Sequence, residues 1–223
     1  MTQSSAHRPV QPGEPAPTFE LPAVTREGSV RLEEFRGRRP VLLSLLRGLQ
    51  CAFCRRHIAA LGALDEQLRA KGVETLAVVN TPVERARTYV RFHPMQLLVA
   101  SDEERATHRA YGLPLPEITQ EGTDWPNRIS VPDIMAVRIN PRGELPEPMD
   151  PVSAGKYLNA KDGFEPTPED QRMAAAGPQL VGAFLLDRDG IVRWTFIEAE
   201  RGPEGFASFP KTEEFLRAAN AVA

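Results

Sequence analysis

The sequence predicts an α/β fold built on a partly parallel sheet, and three observations carry that prediction. Apolar runs of strand length alternate with stretches of helical periodicity over residues 40–112. One of these runs, PVLLSLLR at 40–47, is continuously apolar with a proline at its start, as expected of a strand covered on both faces. Near the end, LVGAFLLD, the turn Arg188-Asp189-Gly190 and IVRWTFIEA read as a hairpin, because Asp-Gly supplies the left-handed residues a tight turn needs.

Taken in order, residues 1–17 are polar and proline-rich and read as a loose N-terminal arm before a single domain over 18–223. A short strand, a turn at Gly28 and a second short strand lead to the 40–47 run. Beyond it Cys54, Ile58, Leu61, Leu64 and Leu68 recur three and four apart, the apolar stripe of a helix that Gly72 ends. VETLAVVN, 73–80, is the next buried strand. Thr81, Pro82 and Glu84 spell a helix start, the threonine capping and Glu84 completing a capping box, with Val83, Ala86 and Val90 inward. QLLVAS runs to Ser101, and Ser101 with Glu104 makes a second capping box for a short helix ending near Tyr111-Gly112.

The alternation then breaks. Residues 114–178 hold 11 of the 21 prolines and little periodicity beyond a strand at IMAVRIN, 134–140. A segment this long is no routine connector. It is expected to fold over the cysteine edge, with Trp125, Arg128, Tyr157 and Phe164 shaping substrate access. A last helix, about 211–222, carries Phe215, Leu216, Ala219 and Val222.

A net charge of −3 from 27 basic and 30 acidic residues makes no electrostatic case for nucleic acid or an acidic membrane surface. No run approaches the ~20 apolar residues of a membrane helix. MTQSSAHRPVQPGEPAP lacks the apolar segment of a secretory signal, so a reducing, cytoplasmic setting is expected.

Both cysteines stand in RGLQCAFCRRH. A Cys51–Cys54 disulfide closes almost no loop and adds little stability, which leaves redox chemistry, metal capture or accident. Cys51 ends a central strand and starts a helix, the edge at which open α/β sheets bind ligands. Free amides and the positive end of the helix dipole favour a thiolate there, more so beside Arg47, Arg55, Arg56 and His57. Cys54, one turn on, begins the apolar stripe, so an exposed attacking sulfur is paired with a sheltered resolving one. Two other readings stay open. A soft metal could be held by Cys51, Cys54 and His57, three ligands where structural zinc takes four. A thiol sensor would oxidise without turning over. Arg47 reads equally as a stabiliser of the thiolate or as a solvated loop residue. Arg55, Arg56 and His57 read as a wet helix face, and His93 and His108 as surface groups. Asp187 and Asp189 belong to a turn and not to a calcium loop.

GEPAPTFELP with LEEFRGRRPVLLSLLRG, then CAFC, LLVASDEERATHRAYGLP and GAFLLDRDGIVRW, cover most of 13–112 and 179–198 in family order. Together they resemble the peroxiredoxin-like branch of the thioredoxin-fold superfamily, the redoxin or alkyl hydroperoxide reductase/thiol-specific antioxidant (AhpC/TSA) family, in a CxxC-containing form. The resemblance implies a thioredoxin-like fold, a central mixed sheet flanked by helices, with 114–178 as a proline-rich insertion before the final hairpin. It implies a thiol-disulfide oxidoreductase or thiol peroxidase of antioxidant type, reducing a hydroperoxide or a disulfide through a redox-active Cys51/Cys54 pair, with Arg47 as activating arginine. It implies no cofactor, a small thiol or thioredoxin-type protein as reductant, and a homodimer among the expected assemblies. Two departures stand out. The family's P-x-x-x-T-x-x-C pattern, whose threonine orients peroxide, falls on Ser44 and Gly48. The cis-proline of thioredoxins falls near Val181 and Gly182, with Pro178 upstream.

Overall fold

A computed structural model describes residues 8–175 and 177–222. The chain enters through a short antiparallel pair, β1 (Glu20–Pro22) and β2 (Ser29–Arg31), turned by Gly28 at φ +77°. β3 (Val41–Leu46) is buried along its whole length and leads to α1 (Ala52–Ala70). β4 (Glu74–Val79), α2 (Val83–Phe92), β5 (Leu98–Ser101) and α3 (Ala106–Ala110) follow. The segment after α3 contains a two-stranded parallel pair, β6 (Glu117–Thr119) and β7 (Arg128–Ser130), then α4 (Val131–Ala136), α5 (Pro151–Lys161) and α6 (Pro168–Ala175). The hairpin β8 (Gly182–Leu186) and β9 (Val192–Ile197) and the helix α7 (Thr212–Asn220) complete the chain.

The main sheet has the order β5-β4-β3-β8-β9, with β3, β4 and β5 parallel and β8 and β9 antiparallel. Strand parity divides its residues between two cores. Leu43 and Leu45 meet Leu76, Val78 and Phe184 beneath Val30, Leu32 and Tyr111. Leu42 and Leu46 face the other way, onto the α1 stripe Cys54, Ile58, Leu61, Leu64 and Leu68 and onto Phe215 and Ala219 of α7. This is the thioredoxin-like mixed sheet flanked by helices. Among the described residues no helix is long and apolar enough to cross a membrane.

Four local expectations are corrected. Residues 1–7 of the expected arm lie outside the described residues, but 8–17 are tied down and not loose. Val10 donates to the Tyr111 carbonyl at 3.1 Å, Gly13 to Val192 at 2.8 Å and Ala16 to Gly190 at 2.9 Å, so the edge beside β9 satisfies this backbone. Thr81 does not cap α2. Its hydroxyl accepts the Leu49 N–H at 2.7 Å instead, and Glu84 pairs with Arg87. Ser101 does not cap α3, because its hydroxyl donates to the Thr81 carbonyl, and Asp102 accepts from Ala106 and Thr107 in its place. Residues 134–140 are not a strand. Ile134 belongs to α4, capped by Ser130, and only Ile139 makes a bridge, to Met149.

Candidate active site

β3 delivers the chain to the sheet edge at Leu46, and residues 47–50 turn it into α1. The turn closes by Cys51 N–H to Gly48 carbonyl at 3.0 Å and is pinned to the loop between β4 and α2 through Leu49 and Thr81. Cys51 is the N-cap residue of α1, in extended conformation, and its side chain makes no capping bond. Its sulfur is therefore left for chemistry. Cys51 is half-buried and Cys54 fully buried against Leu46, Ile58 and Val79, and both are free thiols.

A hydrogen bond from the Cys54 thiol holds the Cys51 thiol well below its ordinary range. Burial opposes this, and the positive charge of Arg47 and the Cys54 backbone N–H reinforce it. Burial pushes Cys54 well above the ordinary range, and its bond to Cys51 adds to the shift. The two thiols are thus pushed in opposite directions, Cys51 down and Cys54 up.

Arg47 lies at this site and not in a solvated loop. It donates to the Gln179 carbonyl at 2.9 Å and to both carboxylate oxygens of Glu198, at 2.8 and 2.5 Å. Glu198 has no exposed surface and also accepts the N–H groups of Val181 and Ala207. Neither Glu198 nor Gln179 carries a local sequence signal. A carboxylate ending an apolar strand run is the only hint of the former.

Over the cysteines opens a cleft of about 720 Å³. Its floor is Arg47, Gly48, Gln50 and Cys51, and much of its wall comes from the 114–178 segment. That segment has its own core, in which Ile129, Ile139, Leu145, Ala154 and Leu158 pack on Ala52 and Phe53 of α1. The segment is thereby anchored to the helix that starts at Cys51. Polar clamps add to it. Arg55 reaches Asn159 and Asp162 at 2.8 Å with its guanidinium over Phe164, and Arg56 bridges Asp162 and Glu144.

The residues expected to shape access are placed otherwise. None of Trp125, Arg128, Tyr157 and Phe164 lines the cleft. Trp125 donates to the Ala199 carbonyl and stands edge-on to Phe206, supporting a cleft residue from behind. Arg128 is exposed on β7, and Phe164 lies under Arg55. Helical phase explains Tyr157. α5 turns Val152, Gly155, Lys156 and Asn159 to the cleft and Ala154 and Leu158 to the core, which leaves Tyr157 toward solvent. Asn80, at the end of β4, is a cleft residue that the sequence did not single out.

Arg55 and His57 are not a wet face. Both are buried, His57 with Nε2 3.2 Å from Ser44 Oγ and its ring stacked on Phe209. His108 is likewise buried, on the Leu46 carbonyl, while His93 is exposed. Among the described residues no three His, Cys, Asp or Glu side chains converge as a metal site, and His57 is turned to Ser44.

The family model of the AhpC/TSA family matches residues 12–140, more than half of the chain. No curated protein matches it. Among solved structures it is similar to the reduced 2-Cys peroxiredoxin of Plasmodium vivax, at TM-score 0.60 and 16% identity over 96% of this chain and 82% of that one. It is also similar to a protein described as thiol:disulfide interchange protein DsbE of Chlorobium tepidum, at 0.55 and 18% over 96% and 98%. The peroxidoxin BcpB of Mycobacterium tuberculosis matches at 0.52 and 14% over 96% and 99%. At these identities the likeness is one of fold.

Proposed function

The chain belongs to the AhpC/TSA family, a family of thiol-dependent redox proteins, and on that premise we propose that Cys51 is its attacking thiolate and Cys54 its resolving thiol. The observation that carries this reading is the place of Cys51, lining the cleft beside Cys54 and Arg47, both of which lower its titration. With a hydroperoxide, the thiolate attacks one oxygen, the S–O bond forms as the O–O bond breaks, and the leaving oxygen takes a proton. Sulfur is then a sulfenic acid. The Cys54 thiol attacks that sulfur, water leaves, and a Cys51–Cys54 disulfide closes. A small thiol or a thioredoxin-type dithiol reduces it by exchange. With a disulfide as oxidant, the first product is a mixed disulfide and the second step is the same.

Burial works against the charge of Arg47, but Glu198 and the neighbouring cysteines outweigh it, so Arg47 keeps its charge throughout. It stabilises the thiolate and any anionic leaving oxygen. No cofactor is needed for either step. A reducing, cytoplasmic setting and a homodimer complete the proposal.

The test compares wild type, Cys51→Ser and Cys54→Ser, with dithiothreitol as donor and a hydroperoxide or a model disulfide as oxidant. Cys51→Ser should be inactive with both. Cys54→Ser should react once and stall as a sulfenic acid or mixed disulfide, visible as a mass increment on Cys51. Equal loss of thiol reactivity in the two variants would contradict the assigned roles.

A further inference from the structure

Gly48 and Gln50 share one small space. A Cβ on Gly48 would meet Gln50 Oε1 at 1.9 Å and Cδ and Nε2 at 2.7 Å, so the Gln50 carboxamide occupies the volume that a side chain at 48 would need. Both residues line the cysteine cleft with Arg47 and Cys51, and the bond from Cys51 N–H to the Gly48 carbonyl holds the two ends of the turn together. Oε1 is buried and has no hydrogen-bond partner. A buried acceptor without a donor is costly, and a ligand donor would relieve it. A half-turn about the last side-chain bond, a soft torsion, exchanges the places of the carboxamide oxygen and nitrogen.

A hydroperoxide brings an O–H donor on the oxygen that a thiolate attacks, whereas a disulfide brings no donor on its sulfurs. We propose that Gln50 orients a hydroperoxide at Cys51, its carboxamide oxygen accepting the O–H. This rests on Cys51 as the attacking thiol. The O–H proton stays on the oxygen transferred to sulfur, giving the sulfenic acid. The other oxygen leaves with a proton from solvent, as an alcohol, or as water from hydrogen peroxide. In P-x-x-x-T-x-x-C relatives a threonine stands at the position of Gly48. Here the polar group comes from two residues later, and the glycine makes room for it.

The experiment measures kcat/KM for hydrogen peroxide and cumene hydroperoxide beside the rate of Cys51 alkylation by iodoacetamide. Gln50→Ala should lower the hydroperoxide values about 10- to 100-fold and leave alkylation within about twofold. Gly48→Thr alone collides with the carboxamide and should also lower turnover, while Gly48→Thr/Gln50→Ala should recover most of it by restoring a hydroxyl in the vacated space. The proposal is overturned if Gln50→Ala keeps full turnover, if turnover and alkylation fall in parallel, or if the double variant is no better than Gln50→Ala. A wild type that reduces a model disulfide but no hydroperoxide overturns this inference and leaves the thiol redox reading standing. One inert to both overturns the two together.

Discussion

Arg47 and Glu198, 151 residues apart in sequence, form a two-point ion pair behind the reactive cysteine, Nη2 to Oε1 at 2.5 Å and Nη1 to Oε2 at 2.8 Å. The geometry is the planar fork of a guanidinium on a carboxylate. With the Val181 and Ala207 N–H groups at 3.0 and 2.7 Å, the carboxylate receives four hydrogen bonds inside the protein. The loop that brings the second of these donors is held in place at a backbone cost. Ala199 and Ala207 both lie at positive φ, 53° and 59°, which an L-residue adopts at about 1–2 kcal/mol each. Arg47 is thus shared between a buried carboxylate and a thiolate.

Removing the carboxylate charge should therefore alter the thiol as well as the fold. Burial already pushes Glu198 up, with Arg47 and the two N–H groups opposing it. In Glu198→Gln the hydrogen-bonding shape remains but Arg47 has only Cys51 to neutralise it. The Cys51 titration should move further down, while stability falls by about 3 kcal/mol through the unpaired buried cation. Iodoacetamide rates against pH and urea unfolding measure the two effects. A Cys51 titration that does not move would show that Glu198 has no electrostatic hold on the site, and one that moves up would contradict the sharing of Arg47.

The origin of the Cys51 shift makes a second prediction. Its folded value lies below its unfolded one, so the thiolate adds stability above the ordinary thiol range near about 8.5, and this is lost as pH falls through the folded value. Alkylation of wild-type Cys51 should reach its plateau well below pH 8.5. Cys54→Ala deletes the largest stabilising contact, and Arg47→Met deletes the cation, so both should move the plateau toward the ordinary range. A wild-type profile still rising at pH 9 would remove the basis for the assigned roles.

These groups differ in how far the sequence announced them. Cys51, Cys54 and the α1 stripe were legible because their signals are local: a spacing of three and four, and a strand that stops where a helix starts. Glu198, Gln179 and Asn80 were not, because each acts through a partner or a cleft made by distant chain. The interior of 114–178 was hidden for a related reason. α4 and α5 have six and eleven residues and few buried positions, and they are ordered by a core that includes Ala52 and Phe53 from outside the segment. The caps misread at Thr81 and Ser101 show the same limit. Both hydroxyls suit a cap by type, but tertiary contacts to Leu49 and between the two loops claim them first.

The two buried imidazoles give a prediction that does not depend on chemistry at the thiols. Burial lowers His57 to about 3, helped by the charge of Arg142, and lowers His108 to about 4. The sign is the same as for the thiol, because here too the folded value lies below the unfolded one. The unfolded chain takes up these protons near the ordinary value of about 6.5 and the folded one does not, so the unfolded state binds more protons over the interval between. Stability should therefore decline as pH drops below about 6.5, with a slope of up to about 1.4 kcal/mol per pH unit for each ring. Replacing one ring by a neutral amide able to hydrogen bond, as in His108→Gln facing the Leu46 carbonyl, should lower stability at neutral pH and make the decline shallower. Urea midpoints at pH 7 and pH 5 compare the slopes directly. Curves that stay parallel in wild type and variant would mean that His108 takes up its proton as readily in the folded protein as in the unfolded chain, which its place in the core and its bond to Leu46 make unfavourable.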